Sequence, residues 1–124
     1  MEQTNNPFGD AIYCYTRKQA LMEGVLVDLS QTDAGRQHWK YPVACTSGVW
    51  AIIEGALNRN GQDLEGILHD TFTMAKLAVR RVREGEHNVL FIVMIAGTRH
   101  QLRLTVGPGD TAEAVLTLML RDEA

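Results

Sequence analysis

Hydrophobic and polar residues follow two different periodicities along this chain. Between residues 63 and 84, apolar side chains recur every three or four positions, at Leu64, Ile67, Leu68, Phe72, Ala75, Ala78, Val79 and Val82. This spacing predicts a long amphipathic helix that buries one face. In the last third of the chain, Leu102, Leu104 and Val106 alternate with polar residues. Such alternation is typical of a strand with one buried face.

Two further apolar runs flank this alternating strand. Residues 88–96 and 114–120 are rich in β-branched and large aliphatic side chains, and the glycine-containing segments Gly97-Thr98 and Gly107-Pro108-Gly109-Asp110 separate the three runs. Strands joined by short turns predict a three-stranded antiparallel meander. We expect the meander to pack against the long helix, because the apolar stripe of that helix must be buried. The predicted fold class is α+β.

The first third of the chain predicts short strand–helix units. Ala11–Tyr15 and Val25–Leu29 have the composition of brief strands. Between them, the hydroxyl of Thr16 is placed to cap a short helix over Arg17–Glu23. Gly24 follows directly and is suited to the left-handed backbone that ends many helices.

The segment that follows is more polar. We interpret Ser30–Lys40 as a loop with at most one helical turn, and Tyr41–Cys45 as an extended segment. Pro42 has no amide to donate to a β-ladder, so we expect this segment at a sheet edge or outside the sheet. Thr46 or Ser47 then caps the next helix, whose apolar positions follow helical spacing.

Composition places the chain among soluble globular domains. It has 124 residues, 45% hydrophobic and 22% charged, with a net charge of −3. No run approaches the roughly 18 uncharged apolar residues that a membrane span requires. The N-terminus has neither a basic start nor an apolar core, so we predict no secretory signal and a cytoplasmic location. We expect a flexible arm at residues 1–9 and a single α+β domain over residues 10–124.

Reactive side chains form no recognisable motif. The chain lacks a Cys-x-x-Cys pair and a phosphate-binding glycine loop, so we predict no metal and no cofactor. Cys45 precedes a helix start, where helix amides lower a thiol pKa, and is a candidate nucleophile. Its alternative role is that of a small core residue. A base for Cys45 could come only through the fold, from the four histidines His38, His69, His87 and His100.

Basic residues cluster toward the end of the long predicted helix: Lys76, Arg80, Arg81 and Arg83. Favourable interaction with the helix dipole explains such a cluster without a partner. A phosphate or nucleic-acid contact is the functional alternative. Aromatic side chains for base stacking are missing nearby, so we favour the first explanation and expect no nucleic-acid partner.

Aromatic and polar residues gather at two strand-to-helix junctions. Such junctions present side chains and free amides to one space, which suits a ligand or a partner protein. The alternative is that the large rings belong to the core, with their polar tips satisfied. The candidate binding residues are Tyr13, Tyr15, Arg17, Gln19, Asp28, Tyr41, Thr46 and Trp50.

The same junctions carry a family resemblance. The sequence Tyr15-Thr16-Arg17-Lys18-Gln19-Ala20-Leu21, followed by Gly24-Val25-Leu26-Val27-Asp28, resembles a family of small uncharacterised proteins of bacteria, plasmids and phages. The segment Tyr41-Pro42-Val43-Ala44, then Thr46 and Val49-Trp50, continues the similarity, and Gly107-Pro108-Gly109-Asp110 agrees near the end. Cys45 and Ser47-Gly48 depart from the pattern. The family is a domain of unknown function, so the resemblance implies a mobile-element setting and no activity.

Three functions compete on this sequence. The small size, the negative charge and the missing catalytic motif favour a protein-interaction module. A nucleotide-binding enzyme related to ADP-ribosyl transfer is the second, with Glu54 and Glu65 as candidate carboxylates by analogy alone. A nucleic-acid accessory protein is the third, and its binding would weaken steeply with salt. Unpaired sheet edges also make a homodimer a candidate assembly.

Overall fold

The computed structural model describes residues 15–60, 62–83 and 86–123, except for the side chains of residues 59 and 60. The predicted arm at residues 1–9 and residues 11–14 of the predicted first strand therefore lie outside the described residues. Within these ranges, no helix combines the length and the apolar character that crossing a membrane requires.

Four helices and five strands make up the described chain. In chain order they are α1 (Arg17–Glu23), β1 (Leu26–Asp28), α2 (Asp33–His38), β2 (Val43–Thr46), α3 (Ser47–Asn60), α4 (Leu64–Val79), β3 (Asn88–Ile95), β4 (Thr98–Pro108) and β5 (Ala114–Leu120). The strands form one mixed sheet in the order β1-β2-β5-β4-β3. The α+β class is thus confirmed.

The sheet is larger than the sequence predicts. Strands β3, β4 and β5 do pair antiparallel in succession, but β2 joins β5 in parallel and β1 then pairs antiparallel with β2. The expectation that Pro42 keeps its segment at an edge is wrong. Pro42 precedes β2, and its carbonyl oxygen accepts from the amide of Leu116 at 2.8 Å. The proline therefore removes no ladder donor from β2.

Alternation along the strands places the core on one face of the sheet. In β3 every second side chain is buried, and the same face carries Leu102, Leu104, Leu116 and Leu118 from the neighbouring strands. Side chains of α2, α3 and α4 complete this cluster, and Phe72 of α4 is one of its large, fully buried members. The opposite face of the sheet is covered by α1 at the β1 end.

Local capping chemistry defines α1 as predicted. The Thr16 hydroxyl accepts from the amide of Gln19, and the Gln19 side chain accepts in return from the Thr16 amide, so a capping box is present. Gly24 ends the helix with φ of 80°, in the left-handed region that glycine adopts without strain.

The segment Ser30–Lys40, expected as a loop with at most one helical turn, contains the six-residue helix α2. Thr32 caps α2 by accepting from the amide of Gly35 at 2.9 Å. Gly35 weakens the helical signal in the sequence, but the fold requires it, because a Cβ there would lie 2.2 Å from the carbonyl oxygen of Leu29. Tertiary packing therefore overrides the low helix propensity of glycine.

The long helix is shorter than the stripe of apolar residues predicts. Helix α4 ends at Val79, and the chain then tightens into turns in which the Arg81 and Val82 amides donate to the carbonyls of Ala78 and Val79. The predicted end at Glu84 is therefore wrong. Arg81 and Arg83 follow the helix instead of lying on its last turn.

Candidate functional site

A groove of about 680 Å³ lies on the helix-poor face of the sheet, beside α1. One wall is formed by α1 and the residues before it. The floor comes from β4 and β5, and the far wall comes from the turn that joins them. The ends of β1 and β2 complete the lining.

Three of the candidate binding residues line this groove: Tyr15, Arg17 and Thr46. Tyr15 and Arg17 come from the start of α1, and Thr46 comes from the end of β2. The two junctions therefore do meet in part. Tyr13 lies outside the described residues. The other four candidates, Gln19, Asp28, Tyr41 and Trp50, do not line the groove.

Gln19 and Asp28 have local structural roles. The Gln19 side chain is used in the capping box of α1. Asp28 Oδ1 accepts from the amide of Ser30 at 2.9 Å and so fixes the turn after β1. Asp28 still contributes to the site through its charge, because it acts electrostatically on Arg17.

Tyr41 and Trp50 are also separate from the groove. Tyr41 lies in the turn before β2 and is 49% exposed. Trp50 is half-buried on α3 and packs against the main core. Of the two interpretations of the large rings, the core role therefore fits Trp50.

Arg17 crosses from α1 to the sheet. Its Nη1 donates to Thr117 Oγ1 at 2.7 Å, and its Nη2 donates to the carbonyl of Leu116 at 2.9 Å. Burial lowers the pKa of Arg17 from its ordinary value, and the negative charges of Asp28 and Asp110 oppose that shift. The guanidinium acts as a tie between α1 and β5.

Asp110 ties the other end of the groove to α1. Its two carboxylate oxygens accept from the amides of Arg17 at 2.7 Å and of Lys18 at 3.0 Å. These amides belong to the first turn of the helix, which has no internal acceptor for them and carries partial positive charge. The turn between β4 and β5 is thereby held against a helix more than 90 residues earlier.

The remaining ionisable side chains of the groove, Tyr15 and Glu123, also form hydrogen bonds within the protein. Tyr15 Oη donates to Glu23 Oε1 at 2.7 Å. Glu123 Oε1 accepts from Thr46 Oγ1 at 2.7 Å and from the Leu120 amide at 2.6 Å. Among the described lining residues, each ionisable side chain thus has a hydrogen-bond partner within the protein.

Sequence reasoning missed most of the floor of the groove. The lining residues it did not single out include Thr105, Asp110, Thr117, Met119 and Glu123. Alternation in β4 and β5 could have indicated which side chains share the polar face. It could not indicate that α1 would lie beside them, because β2 and β5 pair across about 70 residues of chain.

Cys45 belongs to the core. It is fully buried in β2, and burial, assisted by the charge of Glu123, raises the pKa of its thiol to about 12. A thiol with such a pKa is not a thiolate at neutral pH. The geometry therefore favours the core role over the nucleophilic one.

The fold brings two histidines together. His38 Nε2 and His69 Nδ1 are 2.9 Å apart, and Lys76 Nζ is 3.4 Å from His38 Nδ1. Partial burial, Lys76 and His69 all lower the pKa of His38. Within the described ranges, no group of three or more His, Cys, Asp or Glu side chains is arranged to hold a metal ion.

The four basic candidates have different surroundings in the fold. Lys76 contacts His38, and Arg80 is the C-cap of α4. Arg81 lies beside β3, and the Arg83 amide donates to Glu86 Oε1.

A known protein family matches nearly the whole chain. Residues 4–124 match a family of unknown function, DUF6573. The chain belongs to this family. The resemblance to a domain of unknown function is therefore confirmed, and DUF6573 membership itself assigns no activity. No curated protein and no solved structure gives a significant match to this DUF6573 member.

Replacing Asp110 by alanine should loosen the wall of the groove. The variant leaves two first-turn amides of α1 without their carboxylate, so the free energy of unfolding should fall by about 1 kcal/mol. Urea unfolding measures this change. The control Asp122→Ala removes an exposed carboxylate in the turn after β5. It should change the free energy of unfolding by less than about 0.5 kcal/mol. Equal effects of the two substitutions would contradict the capping role.

The His38 pair predicts acid sensitivity. Because the folded-state pKa of His38 lies below its ordinary value, the unfolded chain binds the proton more readily. Stability should be full above the ordinary histidine pKa and should decrease as the pH falls below it. Lys76→Met should raise the pKa of His38 in an NMR titration and reduce this decrease. Lys18→Met serves as the control, and an unshifted His38 in the unaltered protein would refute the explanation.

Proposed function

We propose that this DUF6573 member is a protein-interaction module whose groove beside α1 receives a segment of a partner protein. One observation carries the proposal. The ionisable side chains that line the groove, Tyr15, Arg17, Asp110 and Glu123, are each committed to a hydrogen bond that holds the fold. General acid–base or nucleophilic catalysis requires such a group within reach of a substrate and able to exchange a proton.

The surface of the groove suits a peptide segment. Leu26, Val115 and Met119 supply apolar area, and Thr105 and Ser47 supply hydroxyls between them. Protein interfaces combine apolar contact area with a modest number of hydrogen bonds in this way. We expect the bound segment to present apolar side chains to β4 and β5.

A nucleotide-binding enzyme has less support. The N-terminal amides of a helix form a ready anion site. In α1 and α2 these amides bond to carboxylates of the chain itself: Asp110 on α1, and Glu65 on the amides of Asp33 and Ala34. Glu65 is therefore occupied in capping, and Glu54 does not line the groove.

A nucleic-acid accessory role also has less support. The net charge is −3, and no aromatic residue is interleaved with the basic candidates between Lys76 and Arg83. We propose a cytoplasmic location. We also propose a mobile-element setting, which rests on the family resemblance alone. In that setting, the proposed module would act by binding a partner protein, without catalysing a reaction.

Selection from a random-peptide library on the immobilised full chain tests the proposal. Affinities of the recovered peptides are then measured by fluorescence anisotropy for the unaltered protein and for Thr105→Lys, which places a long cation on the groove floor. We expect the affinity to fall at least about tenfold, or about 1.4 kcal/mol. The matched control is Thr98→Lys, an exposed position at the other end of the same strand, which should bind as the unaltered protein does.

A thermal-shift panel with nucleotides and nicotinamide dinucleotide accompanies the selection. A ligand at about a hundred times its Kd stabilises a protein by roughly 2.7 kcal/mol, which raises the melting temperature measurably. A shift that Thr105→Lys abolishes would favour the enzyme alternative. Peptides whose affinity is unaffected by Thr105→Lys would also contradict the groove as the binding surface.

A further inference from the structure

Among the described strands, β3 lies at one edge of the sheet with no strand beyond it. It has eight residues, Asn88–Ile95, and contains neither proline nor a charged side chain. Exposed edges of soluble proteins are usually short, charged or interrupted, because unpaired backbone groups invite another strand. The other edge, β1, follows that rule, since it is only three residues long and includes Asp28.

The backbone amide and carbonyl groups of β3 point alternately toward β4 and away from the sheet. The Val106 amide donates to the His87 carbonyl at 2.9 Å, so residue 87 faces β4. Because antiparallel pairing alternates, the odd-numbered residues of β3 bond to β4. The backbone groups of Leu90, Ile92 and Met94 therefore point away from the sheet. Within the described ranges, no backbone group donates to or accepts from them.

The side chains along the same edge form an apolar patch. On the helix-poor face, Leu90 is 50% exposed, Ile92 36% and Met94 56%. Around the edge, α4 adds Met74 and Leu77, which are 39% and 40% exposed. Apolar groups concentrated in one place, unlike scattered ones, are typical of an interaction surface.

Opposite charges stand at the two ends of this patch. Asp70 lies with Met74 beside Ile92 and Met94. Arg81 lies with Leu77 beside Leu90 and Ile92. Ile92 and Met74 are common to both neighbourhoods and mark the middle of the patch. Glu86, which is near Arg81, accepts from the Arg83 amide.

We propose that β3 pairs with β3 of a second copy of this chain about a two-fold axis through Ile92. Antiparallel pairing centred there places Leu90 opposite Met94 of the second copy. Each outward-facing amide then meets an outward-facing carbonyl, because even-numbered residues pair with even-numbered ones. The two five-stranded sheets become one continuous sheet.

The same rotation makes the helix faces complementary. It brings the Asp70 end of α4 to the Arg81 end of the second copy, with Met74 of both copies beside the axis. A two-fold interface uses the same patch on both molecules, so a patch that is acidic at one end, apolar in the middle and basic at the other fits itself. This complementarity favours a second copy over an unrelated partner. The dimer does not depend on the groove, because no residue of β3 lines the groove.

Sedimentation equilibrium of the full chain tests the dimer, from about 1 µM to about 100 µM. The unaltered protein should be dimeric in this range. Ile92→Lys places two like charges at the axis and should raise the dissociation constant at least about a hundredfold. Gln101→Lys is the matched control, since Gln101 is exposed and pairs with Ile92 one strand inward. Circular dichroism verifies that both variants are folded.

Exchanging the charges of Asp70 and Arg81 is the second part of the test. Asp70→Arg and Arg81→Asp should each weaken the dimer about tenfold, and the double variant should restore it, because the pair is re-formed with reversed charge. A monomeric unaltered protein would overturn the proposal. A dimer that Ile92→Lys leaves intact, or whose single charge variants are not rescued by the double variant, would overturn it as well.

Discussion

The parallel pairing of β2 with β5 holds the two halves of this protein together. It joins Val43, Ala44 and Cys45 to Leu116, Thr117 and Leu118, across about 70 residues of chain. Two side chains tie α1 to this part of the sheet. Arg17 donates to Thr117 of β5, and Asp110, in the turn between β4 and β5, accepts from the first amides of α1. The groove exists because these contacts hold α1 beside the floor made by the C-terminal strands. A loss of the β2–β5 ladder would separate its two walls.

Elements defined by local chemistry could be predicted from the sequence. Helix α1 begins and ends where Thr16 and Gly24 indicate, because capping depends on neighbouring residues alone. The C-terminal strands likewise follow from alternation. Helix α2 could not be predicted, since Gly35 is a poor helix former whose value lies in close contact with Leu29. The parallel pairing of β2 with β5 was equally inaccessible, because it joins partners distant in sequence.

The same distinction explains the candidate site. Tyr15, Arg17 and Thr46 meet because the junctions that carry them adjoin β5, whereas Trp50 turns toward the core on α3. The interaction of His38 with His69 links two helices and has no signature in the sequence. Cys45 shows how the context reverses an argument: a helix start lowers a thiol pKa, but complete burial raises it. Burial is a property of the fold and not of the neighbouring residues.

Hydrogen exchange of the Leu116 amide tests the central constraint most directly. This amide donates to the Pro42 carbonyl at 2.8 Å, so its protection reports on the contact between β5 and the N-terminal half. We predict that it exchanges as slowly as the amides of the β3–β4 ladder, through opening of the whole domain. Fast exchange at Leu116, while the β3–β4 amides stay protected, would contradict this account. The sheet would then be a C-terminal meander with a loosely attached N-terminal half, and the groove would have no fixed wall.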